Sequence, residues 1–186
     1  MSNGGFIMKS NRFIFALVFL VLILGTRGVV MAEEPLFKGY EVLVVKDLEV
    51  PPNTPAPDSA GSQIAEKVVY QVRRYSQKYK LFEAIVKEGA KDAPQGGKIL
   101  ILQGAVKEYT QPTVGRRIGR SFIPGGEYTG SAAFAAHYQF IDQASGKVVF
   151  ETDLRSTSTG SHDTVDYAME RNGEALAKTI TKYKGK

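Results

Sequence analysis

Cysteine is absent from this sequence, and histidine occurs only twice, at positions 137 and 162. Without thiols there is no disulfide framework, a device on which small exported domains often rely. Nor can a lipid be attached through a cysteine. Zinc is not expected, because His137 and His162 fall on separate predicted segments and no thiolate completes a ligand set. The fold must therefore stand on an apolar core, and no catalytic, cofactor or metal residue is assigned.

Long apolar runs are also scarce, and the longest lies at the start. Lys9 and Arg12 precede the unbroken apolar stretch 13–25, and Val30-Met31-Ala32 reads as a small-x-Ala cleavage site. This is the pattern of a secretory signal peptide. Its apolar core has 13 residues, against about 20 for a membrane-crossing helix. Arg12 and Arg27 block its extension unless Arg27 snorkels. The expectation is a signal peptide over residues 1–32, cleaved after Ala32, and a periplasmic, soluble product with no stable membrane anchor.

A strong charge of one sign is the third absence. The leader removes Lys9, Arg12 and Arg27 and no acid, so the 24 basic residues fall to 21 against 19 acidic ones, a net charge of +2. Nucleic acid is not an expected partner, because that would call for a strongly basic domain with a clustered basic face. Residues 33–186 suffice for a single domain that buries about 70% of its unfolded surface.

What is present reads as an α+β domain. Residues 40–45 are apolar at nearly every position, as in a strand buried on both faces and central in its sheet. A proline-rich stretch at 50–58 cannot continue regular structure and forms a stiff, exposed connection. Ile64, Val68, Val72, Tyr75 and Tyr79 then recur at helical spacing, with Lys67, Gln71, Arg74 and Lys78 opposite and Asp58 or Ser59 as N-cap. The Arg73-Arg74 pair belongs to a solvated face. Strands are predicted at 82–87 and 98–109, where Ile99-Leu100-Ile101-Leu102 again suggests double burial.

Residues 128–156 read as one hairpin. Ala132, Phe134, Ala136, Tyr138 and Phe140 face one way, and Asp142 and Gly146 shape the turn. A closing helix at 164–183 aligns Val165, Met169, Leu176, Ile180 and Tyr183, with Asp163 as its N-cap. Gly173 lies on that face, where close packing against the sheet would offset its helix cost of about 1 kcal/mol. The order β-α-β-β-β-β-α is most simply two helices on one face of a five-stranded mixed sheet.

The longest irregular connection, 111–126, carries four glycines with Arg116, Arg117 and Arg120. Long loops in compact domains are often functional, and arginine suits bidentate contacts to anions. The loop lacks the Lys-Ser/Thr and the strand-to-helix setting of a phosphate cradle. Ser161-His162-Asp163 has the residue types of a hydrolase triad, but three adjacent residues cannot form the relay by themselves. Asp153, Asp166 and Glu170 show no pairing suited to acid–base work. His137 reads as a sheet-surface or hydrogen-bonded core residue.

Two motifs, Thr113-Val114-Gly115-Arg116-Arg117-Ile118-Gly119-Arg120-Ser121 and Phe140-Ile141-Asp142-Gln143-Ala144-Ser145-Gly146-Lys147-Val148-Val149, carry a resemblance. The chain resembles an uncharacterised family, a domain of unknown function in exported bacterial envelope proteins, many of them lipoproteins. Its layout is similar to the small α/β domains of the curli-export lipoprotein and of lipoprotein activators of cell-wall synthases. The resemblance implies an envelope setting and no agreed activity, and the chain departs from the lipoprotein members in having Glu33 after Ala32 rather than a cysteine. The leading expectation is a non-catalytic domain acting through contacts with an envelope protein. The alternative is a module that binds an anionic glycan or lipid head group through the 116–120 arginines. An uncharacterised hydrolase ranks third.

Overall fold

The computed structural model describes residues 35–90, 96–112, 131–158 and 163–186. Its elements follow the predicted order. Strand β1 spans Val42–Val45, helix α1 Ala60–Tyr79, β2 Ala84–Lys87, β3 Ile99–Thr110, β4 Ala133–Asp142, β5 Val148–Thr157 and helix α2 Val165–Tyr183. The five strands form one mixed sheet in the order β2-β1-β3-β4-β5. β2, β1 and β3 run parallel, while β3, β4 and β5 are antiparallel. β1 is interior in the sheet, as its apolar sequence requires.

Register decides which side chains meet the helices. Leu43 aligns with Ile85 and Leu100, Val45 with Leu102, and Leu102 with Phe140. All of these join Ile64, Val68, Val72, Met169, Leu176 and Ile180 in one core cluster. The residues between them project to the opposite face, because strand side chains alternate. That face carries Val42, Val44, Val86, Ile99, Ile101 and Ile141, and neither helix lies over it. The expected double burial of residues 99–102 is thereby corrected: Leu100 and Leu102 are fully buried, whereas Ile99 and Ile101 are half-buried.

The helices lie side by side and run parallel, joined by polar rungs four residues apart. Lys67 pairs with Asp166 at 2.7 Å, Gln71 Nε2 donates to Glu170 at 3.5 Å and Tyr75 OH to Glu174 at 3.2 Å. Gln71, assigned from spacing to the solvent side, is buried between the helices. Gly173 differs similarly from expectation. A Cβ there would lie 3.3 Å from the Lys67 carbonyl, so its close approach is to α1 rather than to the sheet.

The helix starts also depart from the predicted caps. Ser59 occupies the α1 N-cap position, but its hydroxyl accepts a bond from Gln63 Nε2 at 3.2 Å instead of capping a backbone amide. At α2 the cap is Thr164, whose hydroxyl accepts from the Tyr167 amide at 3.2 Å. Asp163 is drawn elsewhere. Its Oδ1 accepts from the Ala132 amide and from the Ser158 hydroxyl, both at 2.6 Å, tying the start of β4 to the end of β5. Among the described residues, no helix is long and apolar enough to cross a membrane.

Candidate functional site

Arg116, Arg117 and Arg120 lie outside the described residues, as do Ser161, His162 and the leader with its cleavage point after Ala32. The remaining candidates have structural partners. His137 stands on the helix-free face, its Nδ1 3.0 Å from Asp153 Oδ1 and its Nε2 3.9 Å from Glu151 Oε2, so it is a sheet-surface histidine. Asp153, Asp166 and Glu170 contact His137, Lys67 and Gln71 respectively.

Asp142 forms the predicted turn and more. Its Oδ1 accepts from the Ser145 amide at 2.8 Å and the Ser145 hydroxyl at 3.0 Å, while Gly146 takes φ 67°. Its Oδ2 accepts from Tyr40 OH at 2.8 Å, a long-range contact that turn chemistry could not reveal. Donation from the Ser145 amide first, then from Tyr40, pulls the Asp142 carboxyl down to about 2. Tyr40 moves the opposite way, to about 12, through burial and its bond to the carboxylate. Lys98 caps the group, its ammonium 4.2 Å from the Tyr40 ring centroid. These contacts lock the β4–β5 turn to the chain entering β1.

Among the described residues, two surfaces remain that structural bonding does not consume. The first is the helix-free face of the sheet. A sheet face open to water is ordinarily polar, and the half of this one toward β5 fits, with Gln139, Glu151, Asp153 and Arg155. The half over β1 and β3 does not fit: Val44, Ile99, Ile101 and neighbouring Ile141 form a half-buried aliphatic patch, and Val148 beside it is 50% exposed.

The second surface is the end of the molecule where both helices terminate. Because α1 and α2 are parallel, their C-terminal carbonyls share one end and favour cations there. A groove of about 530 Å³ runs between them, lined by Tyr75, Tyr79, Lys178, Thr181, Lys182, Gly185 and Lys186. A second groove of about 840 Å³ nearby includes Arg73, Lys80 and Lys184 with Glu41 and Glu83. Arg73, on the expected solvated face, donates twice to the Ile85 carbonyl, at 3.0 and 2.7 Å. Lys184 donates to the Tyr40 carbonyl at 2.5 Å, and burial, aided by Lys186, lowers its pKa. Composition concealed this clustering, since a near-neutral total says nothing about where the charges sit.

No family model matches the chain, and none of the curated proteins matches its sequence. Solved structures do. PelC from Paraburkholderia phytofirmans, crystallised as a dodecamer, is 18% identical with a TM-score of 0.53, covering 77% of this chain and 88% of that one. A leucine-to-methionine variant of the same dodecamer gives 18% identity and 0.50, with 77% and 87% covered. A minor lipoprotein from Acinetobacter baumannii is 16% identical with a TM-score of 0.36, covering 77% and 91%. The likeness to PelC shows a shared fold.

Proposed function

We propose that this chain is a non-catalytic domain of the bacterial envelope that works through contacts between protein subunits, with the helix-free sheet face as its contact surface and a second copy of the chain as first partner. The aliphatic patch of Val44, Ile99, Ile101 and Ile141 carries the reading. Contiguous apolar surface rimmed by polar groups marks interaction sites, and Gln103, Gln139 and Glu151 supply such a rim. Two observations support it. The leader over residues 1–32 has the form of an export signal, and the dodecameric PelC shows that this fold occurs in an oligomer of its own kind.

The test is the mass of the protein in solution with and without Ile101→Asp. The parent chain should form a closed oligomer, and the variant should be smaller with an unchanged circular dichroism spectrum. A parent that stays monomeric up to high concentration, or a variant that assembles normally, rejects the reading.

A further inference from the structure

We propose that the end of the domain where the helices terminate docks on an anionic phospholipid surface, through Lys78, Lys178, Lys182 and Lys186 around the Tyr75–Tyr79 groove. The argument begins with how cations are used at the two ends of the helices. Near the helix starts they are paired: Lys46 with Glu88 at 2.8 Å, Lys67 with Asp166 at 2.7 Å, and Lys87 with Asp47 at 2.9 Å. Near the helix ends, among the described residues, most of them are not. Lys78 and Lys182 lie over the rings of Tyr79 and Tyr183, 4.9 and 5.2 Å from the centroids. Among these four lysines only Lys178 has a carboxylate partner among the described residues, Glu174 at 3.0 Å.

The helix dipoles account for part of this arrangement, since Lys78 and Lys182 sit in last turns. They do not account for Lys186, which the chain places beside the groove by a specific turn. Gly185 takes φ 76°, its amide donates to the Lys182 carbonyl at 3.0 Å, and the Lys186 amide donates to Thr181 at 3.2 Å. This is a Schellman closure. It holds the last lysine beside the other three.

Chain connectivity selects a membrane over other polyanions. The Phe37 amide donates to the Tyr183 carbonyl at 2.9 Å, and Pro35 lies against Gly185, so the chain enters the domain beside these lysines. Leu36 is 42% exposed there. The apolar run 13–25 ends ten residues before Pro35, so while the leader engages the membrane during export, before its cleavage, the part of the domain closest to it in sequence is the basic end. Lysines near an anionic bilayer are drawn to its surface potential within about a Debye length, and tyrosines are suited to the headgroup layer.

Sedimentation of the full chain with vesicles tests this, because the leader is common to every arm and binding to pure phosphatidylcholine sets its contribution. Vesicles that also contain phosphatidylglycerol should bind at least about tenfold more tightly at low salt, and the gain should disappear as salt screens it. The triple variant Lys78→Glu, Lys182→Glu, Lys186→Glu should return to the phosphatidylcholine level. The single variant Lys182→Glu should lose more than Lys107→Glu, which changes the net charge equally at an exposed position on β3. Equal binding to both vesicles, or equal losses from Lys182→Glu and Lys107→Glu, overturns the proposal. So does a protein that ignores anionic vesicles but is retained on a uronic-acid polymer, which would give the same lysines to a glycan. None of these outcomes bears on assembly through the sheet face.

Discussion

The two faces of the sheet differ residue by residue along the same strands. In β3, Leu100 and Leu102 pack under the helices, while Ile99 and Ile101, of the same atomic composition, are half-buried on the other side. In β4, Tyr138 is fully buried and donates to Asn172 Oδ1 at 2.7 Å, while His137 beside it meets Asp153 at the surface. One face is thus completed within the chain. The other carries aliphatic surface that the described helices do not complete, and that contrast directs attention to assembly.

Substitutions on the two faces should separate them, starting with the largest effect. Leu102→Ala should cost about 3 kcal/mol in urea unfolding, because it removes a fully buried side chain and leaves a cavity between sheet and helices. A loss below about 1 kcal/mol would mean that the helix-covered face is not the core. Tyr138→Phe comes next, at about 2 kcal/mol. It strips the donor from Asn172 Oδ1 in a buried network whose Nδ2 also holds the Leu154 carbonyl at 3.0 Å. The surface counterpart His137→Ala should change stability by less than about 0.5 kcal/mol. Ile101→Ala, on the helix-free face, should cost about 1 kcal/mol by thermal unfolding at concentrations where the chain is dissociated.

The same contrast explains what the sequence could disclose. Element order and core were legible because Ile64, Val68 and Val72 repeat at helical spacing and Phe134, Ala136, Tyr138 and Phe140 at strand spacing, and all are fully buried. The run Ile99-Leu100-Ile101-Leu102 was ambiguous, since an apolar run reads alike whether its second face is covered by its own helix or left for a partner. Interactions between distant residues were not legible at all. Nothing in the turn at 142–146 announces Tyr40, nor does Asp163 announce that it binds Ala132 and Ser158 rather than its own helix. The basic end was legible only in part: Lys182, Lys184 and Lys186 gather at the end of the last helix in the sequence, but that Lys78 joins them depends on two helices running parallel, which the sequence does not display.

Another small expected effect concerns a bidentate ion pair between strands of the helix-free face. Arg155 Nε reaches Glu108 Oε2 at 2.7 Å and its Nη2 reaches Oε1 at 3.1 Å, bridging β5 to β3 over β4. Their side chains are 59% and 31% exposed, so water screens the attraction and a double-mutant cycle should give about 0.5 kcal/mol. Hydrogen bonding from Arg155 holds the Glu108 carboxyl below its ordinary 4.5. A carboxyl depressed in the folded state contributes stability above its unfolded value and loses it as pH falls through the folded one. The coupling should therefore be intact at neutral pH, shrink below about 4.5 and weaken with added salt. If assembly covers this face, the oligomer should show a stronger coupling than the dissociated chain, because excluding water removes the screening. Equal coupling in both states would place the contact surface away from β3 and β5.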